Sequence, residues 1–171
     1  MAEVEVRLFQ PHEWKQYREL RLRALEESPD AFGGTLAQAR LQPDSVWVDR
    51  LSNICTDFDL PLLVQVDGEA CGLAWGKIQP AAPETAHLYQ MWVAPQQRGF
   101  GAGMRLLERV ISWAREREAR ELLLSVTCGD SPARRMYERT GFAAAGELEP
   151  LRPGSDMLVQ PMRLDLGGGG S

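Results

Sequence analysis

The sequence predicts a mixed α/β (α+β) fold that forms one domain over residues 1–166. Apolar residues follow a period of two in some segments and of about 3.6 in others, so predicted strands and helices alternate along the chain. The 171 residues suit one sizeable core, and the sequence contains neither an internal repeat nor an interdomain linker. Residues 167–171, Gly-Gly-Gly-Gly-Ser, lack side chains that pack and are predicted to form a flexible tail.

The first third of the chain predicts one strand followed by two helices. Residues 4–8 alternate apolar and polar side chains, which is typical of a half-buried strand. Pro11 opens a helix that extends to about Glu27, and a second helix is predicted to begin near Pro43. The apolar stripes of these helices are Trp14, Tyr17, Leu20 and Ala24 in the first, and Trp47, Leu51 and Ile54 in the second.

A β-hairpin and a further strand occupy the middle of the chain. Two apolar runs, residues 62–66 and 70–78, are separated by Asp67-Gly68, and Asp-Gly between apolar runs is a strong signal for a hairpin turn. The next strand is predicted at residues 86–93, before Pro95. The hairpin and this strand are therefore expected to form the centre of a sheet.

The last third returns to helices that alternate with strands. A long helix from about Ala102 to Glu118 carries a regular apolar stripe. A shorter helix begins at Ser131-Pro132, with serine as the cap and proline at the first helical position, and it ends at Gly141. Strands are predicted at residues 122–126, 142–147 and 157–164, and the last two are expected to pair.

Composition and charge exclude several classes of function. The net charge of −5 provides no basic field, so we expect no nucleic-acid partner. No apolar run approaches the roughly 20 residues that cross a bilayer, and the charged N-terminus does not resemble a signal peptide. The three cysteines are widely spaced and odd in number, which favours a reducing, cytoplasmic location. Because the chain has only two histidines, we expect no metal site.

The segment from Arg98 to Gly103, Arg-Gly-Phe-Gly-Ala-Gly, joins the strand before it to the long helix. The first N–H groups of a helix have no partner within the helix, and the helix dipole adds partial positive charge there. Glycines let the oxygens of an anion approach the backbone closely, and Arg98 adds a full positive charge. A tight turn that needs only glycine dihedrals is the alternative, but three glycines at alternate positions exceed that need. We therefore predict a binding loop for a phosphate-bearing cofactor.

The two common nucleotide-binding loops do not fit this segment. A Walker loop ends in Gly-Lys-Ser or Gly-Lys-Thr, whereas Gly103 is followed by Met104 and Arg105. A Gly-x-Gly-x-x-Gly fingerprint that starts at Gly99 places Met104 at the third glycine, and one that starts at Gly101 places Leu106 there. The anion is therefore expected to belong to another cofactor class.

Two motifs resemble those of the GNAT acyltransferase superfamily. Arg98, Gly101 and Gly103 match its cofactor signature of Gln or Arg followed by x-x-Gly-x-Gly or Ala, shortly after Pro95. Residues 130–142 resemble its Asn-x-x-Ala-x-x-x-Tyr-x-x-x-Gly-Phe segment. The resemblance extends over the order of elements in the whole chain. It implies a GNAT fold, with a central, mostly antiparallel sheet of about seven strands, splayed at the cofactor strand and flanked by about four helices.

The same resemblance implies an N-acetyltransferase that uses acetyl-CoA as co-substrate. In this family an acceptor amine attacks the thioester directly in a ternary complex. The pyrophosphate is expected on Gly99, Phe100, Gly101, Ala102, Gly103 and Met104, next to Arg98, and the pantetheine arm along Met91, Trp92 and Val93. The second motif adds Asp130, Ala133 and Tyr137 to the expected cofactor contacts. Asp130 replaces the family's asparagine, which puts its contact with the pantetheine amide in question.

Two residues are candidates for proton transfer. The resemblance places Tyr137 where the family has its general acid near the cofactor sulfur, and the alternative is a core tyrosine with a satisfied hydroxyl. His87 falls where several relatives carry a glutamate base, and histidine suits base chemistry near neutral pH. The alternatives are that His87 is a solvent-facing strand residue, or that Glu84, Tyr89 or Gln90 holds a chain of waters. Ser125 occupies a position where some protein N-terminal acetyltransferases carry a glutamate base, which weakens that assignment.

The acceptor is the least specified part of the predicted activity. The expected partner is a small-molecule or peptide amine, bound between the first two helices, the C-terminal strands and the strand of Tyr89, with Phe32 as a wall or a core plug. A protein N-terminal or lysine acetyltransferase, an enzyme for longer acyl groups or non-amine acceptors, and an acyl-CoA sensor without turnover remain alternatives. Both a monomer and a homodimer are compatible with the sequence.

Overall fold

An eight-stranded sheet flanked by helices forms the centre of the computed structural model, which describes residues 2–167. Residues 168–171 of the predicted tail lie outside the described residues. The strands are β1 (Val4–Leu8), β2 (Asp59–Val66), β3 (Glu69–Ile78), β4 (Thr85–Val93), β5 (Glu121–Thr127), β6 (Ala143–Ala144), β7 (Glu149–Pro150) and β8 (Leu158–Asp165). The α-helices are α1 (Trp14–Glu27), α2 (Leu36–Arg40), α3 (Asp44–Leu51), α4 (Ala102–Glu116) and α5 (Pro132–Thr140).

The strand order is β1-β2-β3-β4-β5-β8-β6, with the short β7 also paired to β8. Every pairing in this sheet is antiparallel except that of β4 with β5, which agrees with the predicted sheet. The strand predicted at 142–147 is wrong in extent, because only Ala143 and Ala144 pair with β8. Gly146 has a φ of 96°, which turns the backbone away from the extended conformation of a strand.

Helices α1 and α4 cover opposite faces of the sheet. Successive side chains of a strand point to opposite faces. On β3, the Trp75 ring packs edge-on against Tyr17 of α1, with centroids 5.8 Å apart. A Cβ at the neighbouring Gly76 would lie 2.9 Å from the Trp113 ring of α4, so this position accommodates only glycine without a shift. The two helices therefore bury both faces at the centre of the sheet. Within residues 2–167, the helices lack the length and apolar character needed to cross a membrane.

The turn and cap signals of the sequence are confirmed. Asp67 and Gly68 have φ values of 51° and 83°, the conformation that a two-residue hairpin turn requires. The Ser131 side chain accepts a hydrogen bond from the Arg134 N–H at the start of α5, and Gly141 ends that helix with a φ of 116°. These local signals define the β2–β3 hairpin and both ends of α5.

Helix α2 was not anticipated from the sequence. It has five residues and no buried side chain, so it shows no apolar stripe. Its start is marked by a capping box, in which Thr35 and Gln38 each bond the backbone N–H of the other. Helix α3 follows at the predicted place but ends at Leu51, so Ile54 is not part of it.

Candidate active site

Strands β4 and β5 separate in the middle of the sheet. Their parallel pairing runs only from Thr85 opposite Glu121 to His87 opposite Leu123. In the described part of the chain, residues 88–93 of β4 have no partner strand on that side. Unpaired backbone N–H and C=O groups on a strand edge are available to an extended ligand. This opening is the splay that the sequence predicted at the cofactor strand.

A bulge at Gln90 bends β4 at this opening. Residues 89–92 of β4 lie opposite residues 73–75 of β3, so β4 contains one extra residue. Gln90 has a φ of 58°, a left-handed conformation that is uncommon for a residue with a side chain. Its Oε1 accepts a hydrogen bond of 2.6 Å from the hydroxyl of the buried Tyr17 on α1. Helix α1 therefore holds the bulge in place from one face of the sheet.

The predicted cofactor loop presents a row of unpaired backbone donors. The first backbone bond after the loop runs from the Arg105 N–H to the Gly101 carbonyl, at 3.0 Å. Among residues 2–167, the six N–H groups from Gly99 to Met104 donate no backbone hydrogen bond. Gly99 and Gly101 have φ values of 96° and 82°, and left-handed residues in a loop help to turn neighbouring N–H groups toward a common anion. This geometry suits an anion with several oxygens.

The three glycines of the loop do different things. Gly99 and Gly101 adopt left-handed conformations, so the need for glycine in a tight turn explains them. Gly103 lies within α4 and has no such requirement. A Cβ there would lie 3.6 Å from the Met136 sulfur and 3.7 Å from the Met91 methyl, which are ordinary contacts. The missing side chain at Gly103 therefore leaves space beside the row of N–H groups. The same distances show that the loop lies next to Met91, on the open edge of β4.

The Arg98 side chain faces the end of α1. Its Nε donates to the Val93 carbonyl at 3.0 Å, and its Nη2 lies 3.2 Å from the Glu27 carboxylate. Glu27 also accepts hydrogen bonds from the Ser28 hydroxyl and from the Trp92 indole. The bonds from Ser28 and Trp92, followed by the charge of Arg98, hold the pKa of Glu27 below its usual range. Glu27 thus connects α1, β4 and the loop, and Arg98 is half-exposed beside them.

A cleft of about 1070 Å³ lies in the opening between β4 and β5. Its lining includes the C-terminal end of α1, the start of α5, and residues of β7 and β8. Among the residues predicted from the sequence, those that line the cleft are Phe32, His87, Tyr89, Gln90, Met91, Ser125, Ala133 and Tyr137. Trp92 and Val93 are buried in the core instead, and the loop residues 98–104 lie outside this cleft.

Tyr137 projects from α5 into the cleft. Its residue is 6% exposed, and its ring packs edge-on against Phe142 with centroids 5.7 Å apart. Its hydroxyl has no hydrogen-bond partner among the described residues, unlike a core tyrosine with a satisfied hydroxyl. Burial raises the pKa of this phenol far above its usual value. The hydroxyl is therefore protonated at neutral pH and free to donate to a ligand.

His87 stands at the point where β4 and β5 part. Its ring is half-buried and stacks on the exposed Tyr89 ring, with centroids 5.7 Å apart and planes 5° apart. Burial lowers the pKa of His87, and the nearby Glu121 carboxylate opposes that shift in part. The imidazole is therefore neutral at pH 7 and has a free lone pair that can accept a proton.

Asp130 does not face the cleft. Its side chain is 76% exposed, and its Oδ2 lies 2.6 Å from the Arg135 guanidinium one turn further along the chain. The next residue, Ser131, lines the cleft in its place. The exposed ion pair is worth little stability, and it engages the carboxylate outside the cleft.

Arg21 lines the cleft and was not predicted from the sequence as a site residue. Arg21 is only 9% exposed, although it carries a charge, and its guanidinium carbon lies 4.6 Å from the centroid of the Phe32 ring. Its Nη1 has no hydrogen-bond partner among residues 2–167. The sequence contained a signal for this position, because Arg21 follows Tyr17 by four residues and lies on the apolar stripe of α1.

Comparison with known families agrees with this geometry. Residues 13–142 match the model of the acetyltransferase (GNAT) family. The yncA protein of Salmonella typhimurium, whose structure contains its cofactor acetyl-CoA, superposes with a TM-score of 0.78 at 16% identity and covers 99% of this chain and 97% of its own. At that identity the likeness concerns the fold alone.

Two curated relatives are similar in sequence. The mycothiol acetyltransferase of Salinispora arenicola (strain CNS-205) is 29% identical over 127 residues, which are 72% of this chain and 39% of that protein. The streptothricin acetyltransferase of Streptomyces lavendulae is 37% identical over 83 residues, which are 48% of this chain and 43% of that protein. The chain thus spans about two fifths of the length of these relatives.

Proposed function

Because this chain belongs to the acetyltransferase (GNAT) family, we propose that it transfers the acetyl group of acetyl-CoA to a primary amine of a small molecule, by direct attack in a ternary complex. One observation carries the proposal. The N–H groups of residues 99–104 and the open edge of β4 both lack partners in the described chain, and they adjoin at Gly103 and Met91. An anion-binding row that continues into an unpaired strand edge suits a cofactor with a pyrophosphate and an amide-containing arm.

The residues of the loop fit this cofactor. The six N–H groups from Gly99 to Met104 would hold the pyrophosphate, and the absent side chain at Gly103 leaves space for its oxygens. Arg98 is close enough to the loop to add positive charge, although it also pairs with Glu27. The backbone of Met91, Trp92 and Val93 would hold the pantetheine arm, as an added strand holds to a sheet edge. Ala133 and Tyr137 of α5 would cover that arm from the other side of the cleft.

Two proton transfers accompany the proposed reaction. Acetyl-CoA supplies an activated thioester, and the chain must take a proton from the acceptor amine and give one to the departing thiolate. His87 is neutral at pH 7 and lines the cleft, so its ring nitrogen suits the first transfer. Tyr137 holds a proton on a hydroxyl without a protein partner, so it suits the second. The Met91 N–H, beside the bulge, is the proposed donor to the thioester carbonyl.

Small molecules are the proposed acceptor class. The cleft is bounded by the segment from Glu27 to Gly33, by α5 and by β7, so it is shaped for a compact ligand. The two curated relatives are named for mycothiol and streptothricin. Ser125 lies in the cleft where some protein N-terminal acetyltransferases carry a glutamate, which favours a small acceptor over a protein terminus.

The proposal is tested by following the release of CoA thiol with a panel of primary amines and a fixed acetyl-CoA concentration. We expect acceptor-dependent thiol release, and mass spectrometry of the product should show one added acetyl group on the amine. Calorimetric titration with CoA, run in parallel, measures the cofactor site alone. If CoA binds tightly and no amine releases thiol, the transferase proposal is wrong and a sensor of acyl-CoA is supported.

A further inference from the structure

A buried arginine without an anionic partner lies in the wall of the cleft. Arg21 is 9% exposed, and it forms neither an ion pair nor a hydrogen bond through its guanidinium within residues 2–167. A buried guanidinium keeps its charge, and a buried charge is costly unless it is paired. Buried polar groups without partners are rare in folded proteins, so each one requires a reason.

The surroundings of Arg21 do not neutralise it. Burial lowers the pKa of Arg21, the nearby Tyr17 phenol opposes that shift in part, and the positive charge of Arg50 adds to it. The Phe32 ring makes a cation–π contact, with its centroid 4.6 Å from the guanidinium carbon, but a neutral ring supplies neither a negative charge nor a carboxylate oxygen. The Nη2 atom is directed toward Gly34, where even an added Cβ would lie 3.9 Å away. The edge of the guanidinium therefore lacks an acceptor.

The free space next to Arg21 belongs to the cleft. Arg21 is one of its lining residues, together with Phe32 and Gly33 from the following loop and Gln90 from the bulge of β4. Glu27, Asp30 and Glu149 also line the cleft, yet none of their carboxylates pairs with Arg21. The cleft thus has a cationic point on the wall formed by α1 and acidic side chains elsewhere along its lining.

We infer that Arg21 binds a carboxylate of the acceptor, so that the acceptor is an amino-acid-like molecule with an amine and a carboxylate; this inference rests on the proposed transfer to an amine. The planar fork of a guanidinium matches the two oxygens of a carboxylate. A singly charged carboxylate suits this cleft better than a phosphate dianion, because three acidic side chains line it and the chain carries a net charge of −5. Arg21 therefore determines specificity at the acceptor site, and it takes no part in proton transfer.

The inference is tested with matched acceptor pairs. Each proteinogenic L-amino acid with a primary amine is compared with its carboxamide, which has the same side chain and the same position of the amine. The amide's amine is less basic and is neutral to a larger extent, so chemistry alone favours the amide. We expect the best acceptor to be a free acid, with kcat/KM exceeding that of its amide in spite of this bias.

A variant then assigns that preference to Arg21. Arg21→Gln keeps a polar but shorter side chain without the charge, and it should lower kcat/KM for the acid by about 30-fold or more. The kcat/KM for the amide should change by less than about 3-fold, which is the range of an indirect effect. Arg18→Gln is the matched control, because Arg18 lies on the same helix but pairs with Asp44 and does not line the cleft. Arg18→Gln should leave kcat/KM unchanged for both the acid and the amide.

Measurements of product binding test this inference independently of the proposed acetyl transfer. The N-acetyl amino acids and their amides are titrated into the protein with CoA present, which requires no turnover. Tighter binding of the acid to the wild type, lost in Arg21→Gln, supports the carboxylate site. A purely structural arginine predicts a lower Tm for Arg21→Gln and equal effects on acid and amide. The inference is wrong if the wild type binds and acetylates amides with the same affinity and efficiency as the matching acids. It is also wrong if the best acceptor in the amine panel lacks a carboxylate. In both cases the proposed transfer to an amine is unaffected.

Discussion

The hydroxyl of Tyr17 donates to Oε1 of Gln90 across 73 residues of sequence, and this contact joins helix α1 to the bulge that opens the sheet. Gln90 holds a left-handed φ of 58°, a conformation that costs free energy for a residue with a side chain. Such a conformation persists where the surrounding structure compensates for it. The contact therefore connects the packing of α1 with the position of the residues next to the cofactor edge.

Removal of this hydrogen bond tests its role. Tyr17→Phe keeps the buried ring and its contacts with Phe9, Trp47 and Trp75, so only the hydroxyl is lost. We expect the free energy of unfolding to fall by about 1 kcal/mol, measured with urea, and the KM for acetyl-CoA to rise. A cycle with Gln90→Ala should show a coupling of at least about 0.5 kcal/mol. Additive effects of the two variants would contradict the connection.

The glycine loop yields a prediction that separates conformation from ligand binding. Gly101 has a φ of 82°, so Gly101→Ala strains the backbone and should lower stability by roughly 1–2 kcal/mol. Gly103 is helical and has only ordinary contacts, so Gly103→Ala should keep or raise stability by about 0.5–1 kcal/mol. We nevertheless expect Gly103→Ala to weaken CoA binding, because its methyl group enters the space beside the N–H row.

Thermal unfolding and calorimetric titration with CoA measure these two effects separately. Gly154→Ala provides a control for strain, because Gly154 also has a positive φ, 80°, but lies in the turn between β7 and β8 and does not line the cleft. It should lose stability and keep its affinity for CoA. A Gly103→Ala protein with unchanged CoA affinity would mean that the third glycine is not there for a ligand.

The elements that could be predicted from the sequence are those with local signals. The Asp67-Gly68 turn and the Ser131 cap act through their own backbone, so a short window of sequence contains all the information. The stripe of α4 is long and regular, and its buried residues follow it. Helix α2 was missed because its five residues bury nothing, and β6 was overextended because Gly146 ends it earlier.

The parts of the site that could not be predicted depend on distant contacts. A glutamine carries no intrinsic preference for the bulge at position 90, which depends on Tyr17 from another element. Arg98 was expected to face the loop anion, but a glutamate at the end of α1 engages it. Arg21 lies on a stripe whose other members are apolar, and a lone arginine there is easily taken for a surface residue. Tertiary structure, not residue type, decides each of these.

Tyr137 provides a test of the proposed acid. Tyr137→Phe keeps the ring and its packing on Phe142 and removes a hydroxyl that has no hydrogen-bond partner in the described chain. We expect stability to be unchanged or slightly higher, because no protein hydrogen bond is lost. The kcat should fall by about 10²–10⁴-fold if the hydroxyl donates a proton to the leaving thiolate. Affinity for CoA, measured by calorimetry, should change little.

The acidity of the leaving thiol tests whether Tyr137 acts as a general acid. A donor whose thiol is more acidic than that of CoA needs less protonation, so an activated acetyl thioester should restore part of the lost rate in Tyr137→Phe. Tyr89→Phe removes the other phenol that lines the cleft, from the exposed Tyr89 of β4, and it should show no such rescue by an activated thioester. Equal kcat values for Tyr137→Phe and the wild type would remove Tyr137 from the proton path.

The pH dependence of the reaction reports on His87. A general base must be neutral, and burial lowers the pKa of His87 because it disfavours the charged imidazolium. The acidic limb of kcat/KM is therefore expected below the ordinary histidine pKa of about 6.5, and the rate should stay level as the pH falls toward that value. Glu121 opposes the shift, so Glu121→Gln should move the limb to still lower pH.

His87→Gln should remove this limb and lower the plateau by about 10²-fold or more. His12→Gln is a suitable control, because His12 lies in the one-turn helix before α1 and does not line the cleft. The direction of the change in Glu121→Gln is the sharpest measurement, since it depends on the charge next to His87 and leaves the imidazole in place. The base is another group if the acidic limb moves to higher pH in Glu121→Gln, or if it is still present in His87→Gln. The role of His87 would then be limited to its stacking on Tyr89.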